Sequence, residues 1–162
     1  MVETLLKVDG LQAWYGESHI LHGVGFEIAK GELVTLLGRN GAGKSTLSAV
    51  LMGKPGYTVT GGSVTLDGQD VLAMPTWKRA RAGLHLVMQY PTEIPGVGID
   101  ELLDEALAER EVDRSGLAAR IANEATKIGL SEALTHRAVN VDFSGGEKKR
   151  NETLQLAVLE PK

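Results

Sequence analysis

The chain of 162 residues contains no cysteine. It can form no disulfide and offers no thiolate to an iron–sulfur cluster, which agrees with a reducing, cytoplasmic setting. It also lacks an excess of positive charge. Lys and Arg number 17 against 21 Asp and Glu, a net charge of −4, so no global basic field favours nucleic acid. The small basic clusters Lys78-Arg79, Arg81 and Lys148-Lys149-Arg150 read as solvated helix faces. The opening stretch, Met1-Val2-Glu3-Thr4-Leu5-Leu6-Lys7, has neither a basic start nor a long apolar segment, so no signal peptide is expected. No apolar run approaches the ~18 residues of a membrane span, and a membrane role is expected only through a partner. Internal repeats and low-complexity tracts are absent as well.

Glycine, by contrast, is abundant: 20 of 162 residues, against a usual share of ~7%. It follows no period, which excludes a collagen-like chain and suits tight turns and phosphate loops. Hydrophobic residues make up 43%, enough for one domain with a real core.

The glycines concentrate in Gly38-Arg39-Asn40-Gly41-Ala42-Gly43-Lys44-Ser45-Thr46, which fits the phosphate-binding pattern G-x-x-x-x-G-K-[ST]. The apolar run Leu33-Val34-Thr35-Leu36-Leu37 before it reads as a buried strand. Leu47 to Met52 after it reads as a helix closed by Gly53. Glycines let backbone N–H groups turn inward around phosphate oxygens, and the helix N-terminus adds partial positive charge. Lys44 would reach the β- and γ-phosphates, and the Ser45 hydroxyl would take a place on Mg²⁺.

Around this loop the chain reads as an antiparallel β opening followed by an α/β nucleotide core. Thr4 to Val8 and Leu11 to Trp14 suit strands, Tyr15-Gly16 a turn, and Ile20 to Ile28 another strand. Val64 and Leu66 alternate with polar neighbours before the turn pair Asp67-Gly68. Pro75 to Arg81 reads as a short helix, and Leu84 to Met88 as a core strand ended by Gln89-Tyr90-Pro91. From Asp100 the pattern turns helical. Leu102, Leu103, Ala106 and Leu107 form one apolar face, and Leu117, Ile121, Ala125 and Ile128 form a second, stopped by Gly129. The expected organisation is a β region with the phosphate-loop core over 1–99, an inserted helical subdomain over 100–137, and a final motif with its helix over 138–162.

That final motif is Phe143-Ser144-Gly145-Gly146-Glu147, at the head of a helix reaching about Leu159. Ser144 and Glu147 fit a capping box. The two glycines at an exposed helix N-terminus also suit a second anion site.

With these two motifs the chain resembles the ABC-type ATPases. The resemblance implies an α/β P-loop NTPase that binds ATP and Mg²⁺ through Gly38, Asn40, Gly41, Gly43, Lys44, Ser45 and Thr46. It implies that Ser144, Gly145 and Gly146 close over the ATP of a second subunit. Tyr15 is then the aromatic that stacks on adenine, with Trp14 as the alternative. Gln89 is the glutamine that approaches Mg²⁺ and the attacking water. Lys44 and Gln89 would be the residues closest to catalysis, and Ser45 and Gln89 those closest to the metal.

Within that family, four segments are similar to SufC, the ATPases of the Suf iron–sulfur cluster assembly system. They are Tyr57-Thr58-Val59-Thr60-Gly61-Gly62, the stretch Gln89 to Val97, Val139-Asn140-Val141, and Phe143 to Asn151. This implies SufB- and SufD-type partners. Leu11 to Gly43 instead looks more like the ATPase of a branched-chain amino acid importer, which implies membrane subunits as partners, and the chain reads as a mosaic of the two.

In this family the signature helix leads into a strand bearing a Mg²⁺-coordinating aspartate and a catalytic glutamate. The chain stops before it, at Leu159-Glu160-Pro161-Lys162. The expectation is an incomplete ABC domain that binds nucleotide and turns it over negligibly. The stop also suits a non-catalytic or engineered fragment. None of His19, His22, His85 and His136 lies beyond the signature, so none matches the family's switch histidine, and all four read as surface or strand residues.

Overall fold

Two polar residues, Gly16 and Glu17, join the longest strands of the molecule. β1 (Thr4–Tyr15) and β2 (Ser18–Ala29) pair antiparallel from Tyr15↔Ser18 to Thr4↔Ala29. The computed structural model describes residues 3–162, so Met1 and Val2 of the opening stretch lie outside the described residues. Along β1 the buried side chains are Leu6 and Val8, then Leu11 and Ala13. That is a change of phase which a flat strand does not allow. A bulge between Val8 and Leu11, with Gly10 at φ 58°, restores the buried face. The two β segments read separately in the sequence are therefore one bent strand.

The chain then passes through the phosphate loop into α1 (Lys44–Leu51) and returns as β3 (Tyr57–Leu66) beside β1. Asp67 (φ 53°) and Gly68 (φ 76°) make the tight turn to β4 (Gln69–Asp70), as the Asp-Gly pair predicts. The four strands run in the order β2-β1-β3-β4. Leu47 and Val50 of α1 join Leu6, Val8, Leu11, Leu21, Val64 and Leu66 in one core. The helix α2 (Thr76–Arg81) follows Pro75, as the sequence implies.

The chain forms two compact units, Met1–Leu84 and His85–Lys162. The second unit opens with β5 (Ile94–Gly98), then α3 (Ile99–Ala108), α4 (Leu117–Lys127), α5 (Glu132–Thr135), β6 (Ala138–Val139) and α6 (Gly145–Leu159). β5 pairs antiparallel with β6. The apolar faces read from the sequence meet here. Leu103, Leu107, Ile121 and Ala125 are buried with Ile99, Leu154 and Val158, and Leu102, Leu117 and Ile128 pack at the margin. Arg110 and Arg120 donate to the carbonyls of Leu159 and Val158, satisfying the C-terminal end of α6. The last helix thus shares one core with the helical stretch.

Two expectations are corrected. Leu33 to Leu37 is not a strand: Leu33 is 94% and Leu37 84% exposed, and the run carries no strand pairing. Leu84 to Met88 is not a strand either, and Leu86, Val87 and Met88 are exposed. A buried central strand needs a ladder for its amides and cover on both faces. Among the described residues no strand lies beside either run.

Candidate functional site

The phosphate loop folds as its glycines require. Gly41 and Gly43 sit at φ 84° and 90°, where a Cβ is strained, and Ala42 N–H closes the turn on the Arg39 carbonyl at 3.1 Å. Gly43 also needs to be small, since a Cβ there would meet Leu21 Cδ2 at 3.1 Å and Ile20 Cγ2 at 3.3 Å. The loop is therefore seated directly on β2. Gly43 caps α1, and the first turn of the helix, Lys44-Ser45-Thr46, presents amides with no intrahelical acceptor. Lys44 Nζ donates to the carbonyls of Gly38 at 2.7 Å and Arg39 at 2.9 Å, so its charge lies across the mouth of the loop. Asn40 and Ser45 are exposed beside it. A cation, helix-start amides without intrahelical acceptors and a hydroxyl are the donor set that a phosphate chain with Mg²⁺ requires.

The base of α1 is held by a residue that the sequence reading assigned to a solvated face. Arg79 is only 7% exposed, and its guanidinium donates to the carbonyls of Val50 (2.7 Å), Leu51 (2.9 Å) and Met74 (2.9 Å). Burial lowers its pKa, partly offset by Asp70. It caps the C-terminal end of the phosphate-loop helix, where a cation is favoured.

Tyr15 ends β1 at the hairpin tip. It is 57% exposed, with its ring 5.1 Å from Tyr57. Trp14, the alternative stacking residue, has one face covered by His19 at 4.5 Å and 6° between planes. His19 lies in β2 with its Nε2 buried, a strand residue of the kind expected.

Gln89 and the signature both belong to the second unit, whereas Tyr15 and residues 38–46 belong to the first. Gln89 is exposed in an irregular segment. Ser144 caps α6 as the S-x-x-E spacing predicts. Its Oγ accepts from Glu147 N–H at 3.3 Å, and its own N–H donates to Glu147 Oε2 at 2.7 Å. Those hydrogen bonds, first the side-chain contact with Ser144, lower the Glu147 pKa. The cap uses the serine oxygen as an acceptor and leaves its O–H free to donate. Gly145 and Gly146 have ordinary helical φ, and a Cβ on either would meet nothing within 4 Å. Neither backbone strain nor internal packing requires these glycines. Helix propensity disfavours each by about 1 kcal/mol relative to alanine. What they provide is a bare helix end that a second body can approach.

The sequence reading missed Arg79, Asn140, Asn151 and Glu152, all buried polar residues with specific partners. The signal available was Asn140, an αL-tolerant residue in an apolar stretch, which the structure places at φ 60°.

Comparison with known proteins shows the family. The family described as "ABC transporter" matches residues 21–162. A Streptococcus pyogenes protein named "Probable ABC transporter ATP-binding protein" is 42% identical over 164 residues, covering 98% of this chain and 64% of its own. A Synechocystis protein named "Probable ATP-dependent transporter" is 43% identical over 168 residues, covering 99% of this chain and 66% of its own. The chain thus spans about two thirds or less of the length of these relatives. Among solved structures, an ATP-binding subunit of an ABC transporter superposes with TM-score 0.82 at 25% identity, covering 97% of this chain and 63% of the other. The ADP conformation of another ATP-binding cassette reaches TM-score 0.71 at 22% identity, covering 98% and 66%, and speaks for the fold alone. No helix among the described residues is long and apolar enough to cross a membrane. The chain has the α/β P-loop fold with an antiparallel N-terminal sheet, and it belongs to the ABC transporter ATP-binding family.

Proposed function

We propose that this chain is the nucleotide-binding part of a cytoplasmic SufC-like ATPase that serves iron–sulfur cluster assembly. The observation that carries the nucleotide reading is the pair of hydrogen bonds from Lys44, the first residue of α1, to the loop carbonyls of Gly38 and Arg39. In this reading the amides of Gly41 to Thr46 and the Lys44 ammonium hold the phosphates, Asn40 lines the loop, and Ser45 holds Mg²⁺. Bound Mg·ATP supplies the phosphoanhydride that the whole protein cleaves. Tyr15 covers the adenine, which its exposure and the covered face of Trp14 both favour. Gln89 orients water near the metal. Ser144, with the bare backbone of Gly145 and Gly146, donates to the phosphate held by a second ATPase subunit.

The SufC assignment rests on the stretches Tyr57 to Gly62, Gln89 to Val97, Val139 to Val141 and Phe143 to Asn151, with SufB- and SufD-type proteins as the partners. The cysteine-free chain would power assembly and hold no cluster. A second reading is the ATPase of an importer of branched-chain amino acids. The stretch Leu11 to Gly43 favours it, and the relatives' names speak of transporters.

Binding of a fluorescent ATP analogue with Mg²⁺ tests the nucleotide site. Binding is expected in the parent chain and lost in Lys44→Ala, and equal binding by both would overturn the site. Affinity purification of the whole protein separates the two readings. SufB- and SufD-type proteins in the eluate support the first, and permease subunits support the second.

A further inference from the structure

The segment around Gln89 is held at three points, two by α6 (Gly145–Leu159) itself and one by Asn140, which α6 holds in turn. Met88 N–H, one residue before the glutamine, donates to Glu152 Oε2 at 3.0 Å. The Thr92 carbonyl, three residues after it, accepts from Asn140 Nδ2 at 3.0 Å, and Asn140 Oδ1 accepts from Asn151 Nδ2 at 2.9 Å. The Glu93 carboxylate then pairs with Lys148 Nζ at 2.7 Å. Lys148, Asn151 and Glu152 are spaced i, i+3, i+4 and so share one face of the helix.

This face is costly to maintain. Asn140, Asn151 and Glu152 are buried, and Asn151 Oδ1 accepts no hydrogen bond. An apolar face would pack without that desolvation. What the polar face does is hold main-chain atoms. Two of its three grips end on the backbone of Met88 and Thr92, which sets the path of the segment and leaves the side chains of Gln89 and Tyr90 exposed.

We infer that Lys148, Asn151 and Glu152 are positioning residues for Gln89, locking its segment to the helix whose N-terminus carries Ser144, Gly145 and Gly146. The functional sense of this clamp rests on the nucleotide reading above. Gln89 then serves one ATP and the signature another, and a shared rigid body makes a displacement at either one a displacement at both. Asn140 is the bridge in this arrangement, since its one amide group hydrogen-bonds both α6 and the segment.

The absence of cysteine gives a clean test. Tyr90 is 83% exposed, so Tyr90→Cys supplies one labelling site next to Gln89. A nitroxide there is expected to give a slow-motion spectrum in the otherwise unaltered chain. Lys148→Ala, Glu93→Ala and Glu152→Ala should each add a fast component. Glu152→Gln should not, because its amide oxygen still accepts from Met88 N–H. The charge exchange Glu93→Lys with Lys148→Glu should restore the slow spectrum that either single change loses. Glu93 is half exposed and outside the core, so its variants keep the fold and the test remains decisive if Asn151→Ala or Glu152→Ala fails to fold. A label equally mobile in parent and variants, or an exchange that restores nothing, would overturn the clamp. Nucleotide binding is read separately with the fluorescent analogue and Lys44→Ala. Loss of the nucleotide reading leaves the label result standing, and a failed clamp leaves the binding result standing.

Discussion

The Arg79 guanidinium sits 2.7 Å from the Val50 carbonyl, inside the last turn of the helix that begins at the phosphate loop. One buried cation from α2 therefore terminates α1, donating to the carbonyls of Val50 and Leu51 there and to those of Met74 and Leu72 outside it. Arg79→Ala removes the donors from the Leu51 and Met74 carbonyls, leaves Val50 with its bond from Gly53 N–H, and is expected to lower the unfolding free energy of the first unit by about 3 kcal/mol. Arg79→Lys should recover only part, because an ammonium lacks the planar fork. Urea unfolding followed by circular dichroism measures both. An alanine variant as stable as the parent would refute the capping role.

Gly145 and Gly146 give a prediction of opposite sign. Neither glycine is required by φ or by packing. Gly145→Ala and Gly146→Ala should each raise the stability of the second unit, by about 0.5–1 kcal/mol. In the whole protein the same changes should abolish ATP-driven association of two ATPase subunits, read by analytical ultracentrifugation. Stabilisation with association intact would remove the second-subunit role of the signature.

His85 sets a pH dependence. Burial holds its pKa below the ordinary 6.5, against the pull of the Glu152 carboxylate and with a smaller push the same way from Arg110. The unfolded chain therefore takes up the proton first. Stability from the neutral ring is present above pH 6.5 and drains away as pH falls from there through the folded pKa. Asp100, held low chiefly by its hydrogen bond to His136, and Glu147 are lowered carboxylates that act below 3.8 and 4.5, outside this window. Denaturant midpoints taken between pH 7.5 and 5 should fall in the parent and flatten in His85→Gln. Parallel slopes would exclude His85 as the cause.

The exposed run Leu33 to Leu37 separates composition from burial. Leu33→Gln or Leu37→Gln should change the stability of this chain by less than about 0.5 kcal/mol, as for ordinary surface positions. Leu11→Ala, at a site with no exposed surface, should cost about 2–5 kcal/mol. Thermal unfolding of the three variants decides, and a large loss at Leu33 would mean that the run is covered in solution.

Much of this was legible because some patterns carry their own geometry. Asp67-Gly68 has to turn, Ser144 and Glu147 have to cap, and the i, i+4 spacing of Leu103 and Leu107 has to share a face. Other patterns state a requirement without its partner. Leu33 to Leu37 and Leu84 to Met88 have the composition of central strands, but a strand is made by its neighbours, and periodicity cannot supply them. β5 was hidden by Pro95 and Gly96, which usually break strands, in a pairing with only two short edges. Arg79 was grouped with Lys78 and Arg81 by sequence proximity, although helical rotation turns it the other way. Asn140 and Asn151 lie 11 residues apart with no periodic relation, so nothing in the one-dimensional pattern joins them.

The bend in β1 restricts what can stand opposite it. A Cβ at Gly62, which has φ 88°, would lie 2.5 Å from the Gly10 carbonyl, backbone against backbone with no flexible tip to give way. The neighbouring Gly68 turn leaves open space for a side chain, and its demand is for φ alone. A saturation library selected for folded protein should therefore return a single letter at 62, while at 68 asparagine and aspartate should survive beside glycine. Where the bulge of β1 presses its backbone against Gly62, the alphabet of tolerated residues is thus cut to one.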